Sequence, residues 1–269
     1  MLYLTIRALI DSIGPNLREE IDKVKPIFWG FMMLLAGELG SGVVSPAYAQ
    51  YDWSGIYLGG QIGGQWVDSK SSFNFPGNPG VPASGSKTFH DTSFMGGGQF
   101  GFNWQPPGMP LVLGAEGDIV GADHDDSGVI FRYGNVIDHF DGRSQLDVQG
   151  SIRGRVGWAI NRVLLYTTGG VGFGAGKVTT IATRDGVGSA PFGKSDVLVG
   201  WTLGAGVEYA LPFSSHWLIR AEYRYTDLGS ITVKTPGTLF PFPANAGPWT
   251  AKGDFRTQNA IFAINYKFE

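Results

Sequence analysis

The sequence predicts an all-β chain, an eight-stranded antiparallel up-and-down transmembrane β-barrel preceded by a signal peptide. Three observations carry that expectation. Apolar and polar residues alternate with period two in eight segments, the connections between segments alternate in length, and aromatic residues gather where the apolar faces end.

The clearest segment is 146–160. Its even positions are Leu146, Val148, Gly150, Ile152, Gly154, Val156, Trp158 and Ile160, and its odd positions carry Asp147, Gln149, Ser151, Arg153 and Arg155. A period of two puts these sets on opposite faces of a strand. One such strand also fits a soluble antiparallel sheet, so the fold rests on recurrence. The pattern recurs at 53–67, 92–104, 111–122, 163–176, 196–210, 217–227 and 258–268, which with 146–160 makes eight strands.

Connection lengths set the topology. After the first, third, fifth and seventh strands come long polar stretches rich in Gly and Pro, at 68–91, 123–144, 177–195 and 229–254. After the second, fourth and sixth come only 105–110, 161–162 and 211–216. Long loops at one end and tight turns at the other belong to a membrane barrel with extracellular loops and periplasmic turns, whereas a Greek-key sandwich scatters them. Aromatics mark both ends of the apolar face. Trp53, Trp104, Trp158, Tyr209, Trp217, Tyr266 and Phe268 stand at the turn end, and Trp66, Phe94 and Tyr225 at the loop end, as in the two girdles of a membrane barrel.

Charge placement then orients the strands. An Arg facing lipid at mid-bilayer costs roughly 2–4 kcal/mol, so Arg153 and Arg155 are expected to point inward. An eight-stranded barrel is just wide enough to fill with side chains. The expected interior is an ionic network of Glu116, Asp118, Asp147, Arg153, Arg155, Glu208, Arg220, Glu222 and Arg224.

Composition agrees with this fold. The 269 residues carry a formal charge of -3, only 16% are charged, and there are 42 Gly, 8 Trp, 10 Tyr and 18 Phe. Such a chain offers no basic footprint for nucleic acid. The absence of cysteine excludes disulfide frameworks, thiolate metal sites and thiol catalysis. Near the start, Lys23 and Lys25 precede the apolar run 26–37, and small residues lead to Ala47, Tyr48 and Ala49. This is the layout of a signal peptide cleaved after Ala49, giving a leader of 1–49 and a barrel domain of 50–269. Glu38 shortens the apolar core, and an N-terminal buried or membrane helix is the alternative.

Residues 54–60 after the cleavage site, 221–229 in the seventh strand and 265–268 at the end read Ser-Gly-Ile-Tyr-Leu-Gly-Gly, Ala-Glu-Tyr-Arg-Tyr-Thr-Asp-Leu-Gly and Asn-Tyr-Lys-Phe. In these motifs, with Trp53 before the first, the chain resembles the alphaproteobacterial outer-membrane β-barrel proteins of the porin-family or outer-membrane immunogenic type, themselves similar to the OmpA transmembrane domain. The resemblance covers residue 51 onward. It implies a surface-exposed bacterial outer-membrane protein in contact with lipid and lipopolysaccharide and inserted by the barrel-assembly machinery. In some members it also implies haem or host-surface contact through the loops. The barrel is expected to be the last domain, with no peptidoglycan-binding domain after it. Glu269 departs from the pattern, because such barrels end on the aromatic that the assembly machinery reads, here Phe268, and less efficient assembly is expected.

Catalytic signals are weak. Gly170, Gly172 and Ala175 match G-x-G-x-x-A, but inside a strand with no helix following, and Gly176 with Lys177 lacks the rest of a P-loop. No histidine pairs with a nucleophile at one membrane surface, so no enzyme and no cofactor is expected. Asp123, His124, Asp125 and Asp126, with Asp138, His139 and Asp141, form an acidic loop region that could hold a cation or haem iron, though ordinary loop composition explains it as well. Two function classes follow: a structural or adhesive envelope barrel with a plugged lumen, and a small-solute channel.

Overall fold

In the computed structural model, residues 51–74, 84–122, 125–132, 139–184, 188–235 and 249–268 are described. The leader 1–49, Asp123, His124 and Asp138 lie outside them, as do the side chains of Asp125, Asp126 and His139. The segments are β1 (Gly55–Asn74), β2 (Ser84–Trp104), β3 (Leu111–Ala122), β4 (Asp125–Arg132), β5 (His139–Ile160), β6 (Val163–Arg184), β7 (Gly188–Ala210), β8 (Trp217–Thr235) and β9 (Trp249–Lys267). Pairing is antiparallel throughout and runs between sequence neighbours except that β3 and β4 both pair with β5, and β1 closes on β9. β3 and β4 share one position in the ring: β3 pairs with β5 up to Gly121 opposite Val148, and β4 takes over from Asp125 opposite Gln145. Nine segments therefore make an eight-stranded barrel.

The register fixes its geometry. A line drawn across the ladders from Phe94 of β2 runs through Gly64, Ala260, Tyr223, Ala205, Thr167, Val156 and Leu113 and returns to β2 at Trp104. The offset from Phe94 to Trp104, ten residues, is the stagger that tilts the strands of a closed barrel. Alternation puts Ile56, Leu58, Phe100, Phe102, Ile152, Val156, Leu203, Phe262 and Ile264 on the outside, each at least half exposed, while Gln61, Gln99, Arg153, Thr202, Arg220 and Asn265 are buried inside. This inverts the soluble arrangement, as a lipid environment requires. An Arg on that outer belt is expected to be costly: Ile152→Arg should destabilise the barrel by about 2–4 kcal/mol, read as a lower urea midpoint in lipid vesicles. An unchanged midpoint would put Ile152 outside the lipid belt.

The turn end follows the sequence closely, with strands separated by 105–110, 161–162 and 211–216. In the two-residue turn Asn161 takes φ 53, a conformation its short polar side chain tolerates. The loop end does not follow. The stretches expected as long loops are largely strand, since pairing continues to Asn74 opposite Ser84, Arg184 opposite Gly188 and Thr235 opposite Trp249. Beyond the lipid belt the outer face can be polar, as at Thr232 and Lys252, so the ladder persists after the outward apolar stripe that reveals it has ended.

The closed ring opens toward this end. Pairing of β7 with β8 stops at Trp201 opposite Asp227, and pairing of β2 with β3 stops at Met95 opposite Ala122. Among the described residues no ladder joins β7 to β8, or β2 to β4, past those points. The barrel thus divides into two four-stranded sheets, β4-β5-β6-β7 and β2-β1-β9-β8, with two seams between them.

Candidate functional site

The lumen is built in layers, and β8 displays them in order. From the loop end its buried inward positions are Val233, Ile231 and Leu228, then the polar Thr226, then Arg224, Glu222 and Arg220, and last Leu218. An ionic tier lies between two apolar ones.

Arg153 is the centre of the ionic tier. Its guanidinium pairs with Glu116 at 2.6 Å, Glu222 at 2.6 Å and Asp118 at 3.2 Å. Arg155 pairs with Glu208 and lies 3.8 Å from the centroid of the Tyr166 ring. Arg220 donates to Glu116 at 3.0 Å and to the Tyr57 hydroxyl at 3.2 Å. Arg224 bonds to Asp118 and reaches Glu222 at 2.9 Å. Neutral groups complete the shell. Tyr57 donates to Glu116 at 2.7 Å, Tyr166 to Glu222 at 2.8 Å, Asn265 to Glu208 at 2.8 Å, and Gln99 to Asn265 at 2.6 Å. Every position of the ring supplies a member, so these bonds tie strands together across the barrel. The four carboxylates and four guanidiniums of the tier balance, as burial of so many charges demands.

The structure brings together eight of the nine residues expected in this network. Asp147 is the exception: it is exposed on the outside. A register shift between Leu146 and Val148 makes Asp147 the extra residue of a β-bulge, which also turns Leu146 inward, where it is fully buried. Strict alternation had placed Leu146 in lipid. Tyr57, Tyr166, Gln99 and Asn265 were not expected in the network, although inward position was legible for each from period two.

Apolar tiers flank the charges. Toward the loop end Leu146, Val178, Leu198, Leu228, Ile231, Val233, Ala251 and Phe255 form one cluster. Toward the turn end Tyr51, Trp53, Val112, Ala159, Leu164, Tyr166, Ala210 and Leu218 form another. Trp53, expected in the outer girdle, is instead fully buried in this second cluster. It stands in phase with the inward Tyr57 and Gln61 of β1, so the alternation itself places it inside, and residues 51–54 fold into the mouth of the barrel. They are clasped there by several bonds. The Trp53 amide donates to Gln105 Oε1 at 3.0 Å, Lys267 Nζ to the Asp52 carbonyl at 2.5 Å, and the Tyr51 hydroxyl to the Ser215 carbonyl at 2.5 Å. Burial, reinforced by the negative charge of Glu208, pushes the Tyr51 phenol well above its ordinary pKa, so it stays a neutral donor.

The remaining girdle residues do face outward. Trp66, Trp104, Trp158, Trp217 and Phe268 are exposed, and Tyr209 and Tyr266 partly so. Tyr266 meets Trp217 at 5.2 Å, Phe268 at 5.1 Å and His216 at 5.3 Å between ring centroids, a continuous aromatic patch at the turn end.

Residues 39–268 match the outer membrane protein beta-barrel domain. The chain belongs to that family. This outer-membrane barrel is 37% identical over 225 residues to the 31 kDa outer-membrane immunogenic protein of Brucella melitensis, a match covering 81% of this chain and 85% of the relative. It is 31% identical over 188 residues to the 22 kDa outer membrane protein of Rhizobium leguminosarum bv. viciae, covering 69% of each. Among solved structures it is similar to the outer membrane protein OprG of Pseudomonas aeruginosa, with TM-score 0.47, 16% identity, and coverage of 80% of this chain and 97% of that one. Such a barrel resides in the outer membrane with its short turns toward the periplasm.

Proposed function

We propose that this protein is a structural, surface-exposed barrel of the outer membrane that contributes to envelope integrity and surface interactions, with a closed lumen. The layered interior carries this reading: paired charges fill the middle of the barrel, and apolar clusters stand above and below them. An ion crossing it would have to displace Arg153 from three carboxylates and then pass the packed side chains of the flanking clusters. The eight charges are engaged with one another, which supports a non-catalytic role. Outward apolar and aromatic side chains provide the contact with lipid and lipopolysaccharide, and Phe268 is the residue for the assembly machinery to engage. The strands that continue past the lipid belt supply surface for extracellular partners, in keeping with relatives named as immunogenic.

Reconstitution in a planar bilayer tests the closed lumen. The wild-type chain is expected to show no discrete openings while giving a heat-dependent gel shift and partitioning with outer membranes. Discrete openings would favour a small-solute channel, and recovery in the aqueous phase would remove the proposal.

A further inference from the structure

Above the upper aromatic girdle the sheet β2-β1-β9-β8 turns a wholly polar face outward. The girdle row there is Trp66, Gln258 and Tyr225, joined in register. Two residues further up, His90, Asp68, Arg256 and Asp227 stand side by side, with His90 on Asp68 at 2.5 Å and Arg256 on Asp227 at 3.2 Å. The next row is Thr88, Lys70, Asp254 and Ser230. In the third, Lys252 lies between Ser72 and Thr232 and reaches Asp254 at 2.7 Å, and the fourth ends in Lys234. A register shift between Asp227 and Gly229 keeps Ser230, Thr232 and Lys234 on this outer side. No outward position of these rows holds an apolar side chain. The inward Val67, Phe89, Ile231, Val233 and Phe255 of the same strands are buried, so the polar face is backed by a packed core.

Height and chemistry select what covers this face. Girdle aromatics sit at the level of the lipid headgroups. Asn74, in the fourth row, is eight residues beyond Trp66 in β1. At about 3.3 Å per residue and a tilt of up to 45°, that row stands at least about 18 Å above the girdle. The headgroup layer of a phospholipid leaflet is only about 5–8 Å deep, so it covers the first row and little more. The rows above are reached by a lipid whose headgroup is built of sugars. The face carries four cations, Lys70, Lys252, Arg256 and Lys234, against three carboxylates, and Lys70 and Lys234 have no ion pair among the described residues. Apart from His90, hydroxyls and the Asn74 amide occupy the rest. Ser72, Asn74, Ser84, Ser86, Thr250 and Lys252 line an open hollow of about 570 Å³, within the roughly 300–1,000 Å³ range of small-ligand sites.

We infer that the outer face of this extension is a docking site for the phosphorylated saccharide of outer-leaflet lipopolysaccharide, with Lys70, Lys252 and Lys234 on its phosphates and the hydroxyl-lined hollow on its sugars. The face is continuous with the lipid-facing wall below it, so acyl chains resting on the exposed Ile62, Phe94 and Phe262 bring their headgroup directly to these rows. The inference deepens the lipopolysaccharide contact proposed above and rests on the outer-membrane placement, not on the closed lumen.

The test uses the full chain folded in detergent, with the bound fraction read by native mass spectrometry. It is titrated with purified lipopolysaccharide, with the same lipopolysaccharide stripped of phosphate, and with phosphatidylglycerol. Intact lipopolysaccharide is expected to bind most tightly. The triple variant Lys70→Ala, Lys234→Ala, Lys252→Ala should weaken it about 100-fold, at roughly fivefold per lysine near an anionic surface, with an unchanged urea midpoint. Lys177→Ala, exposed on the opposite sheet, should leave binding unchanged. Equal binding of phosphatidylglycerol or of the phosphate-free form would overturn the inference, as would binding retained by the triple variant or lost equally in Lys177→Ala. Failure here with the chain still partitioning with outer membranes strikes the site alone, whereas recovery in the aqueous phase removes the placement as well.

Discussion

Arg153→Ala should destabilise the barrel by about 3–5 kcal/mol, the usual consequence of removing one partner from a buried charge cluster. Glu116, Asp118 and Glu222 all converge on this guanidinium. Arg224 and Arg220 would remain near them, but four carboxylates would then share three guanidiniums in a site away from water. The loss should appear as a lower urea midpoint in vesicles. Because the removed side chain occupies the middle of the lumen, openings should also appear in a planar bilayer where the wild type shows none. Arg153→Lys should fall between the two, since an ammonium keeps the charge but cannot present a planar fork to several carboxylates. The Arg155→Ala variant should behave similarly through Glu208. Unchanged melting together with unchanged conductance in Arg153→Ala and Arg155→Ala would remove the tier from its role in holding the barrel closed.

Trp53→Ala is the second large effect. The indole is fully buried among Val112, Ala159, Leu164 and Leu218, and truncating a buried Trp costs about 3–5 kcal/mol. Tyr51 packs edge-on against it at 5.0 Å and should loosen with it. The expected result is a lower midpoint with the ionic tier, and hence the closed state in a bilayer, left in place. The combination separates the periplasmic plug from the central tier: Trp53 should affect stability alone, Arg153 both stability and conductance. A midpoint within error of the wild type would mean that residues 51–54 are an ornament on the mouth of the barrel.

The fold was largely legible because lipid enforces alternation. Wherever a strand crosses the belt, one face must be apolar and the other must hold its polar groups inward, so Ile152 beside Arg153 already states the orientation of β5. Legibility ended where that constraint ends. Above the belt the outward face turns polar, as at Ser230, Thr232 and Lys234 of β8 and Lys252 and Arg256 of β9, while Ile231, Val233, Ala251 and Phe255 turn inward, so the alternation is inverted and the stretch resembles a loop. The bulges at Asp147 and near Gly229 have no periodic signature, since an unpaired residue is defined by its partner strand, so Asp147 was assigned to the wrong side. Trp53, two residues before the first ladder pair, is different: its phase with the inward Tyr57 and Gln61 already puts it inside, and only its aromatic type suggests the girdle. Membership of the ionic tier could be read from inward position and charge, but which Arg meets which carboxylate depends on the ten-residue stagger, and a single strand carries no record of it.

The clasp at the periplasmic mouth also bears on the order of assembly. Lys267 at the end of β9 holds the carbonyl of Asp52, and the same strand pairs with β1, so residues more than two hundred positions apart must meet. Contacts of that separation form late, after the entropy of a very long loop has been overcome. The Trp53 plug can therefore be held by this clasp only when the first and last strands have joined. In a refolding experiment, burial of Trp53 should lag behind hairpin formation and coincide with ring closure, which makes this residue a clock for the final step of barrel folding.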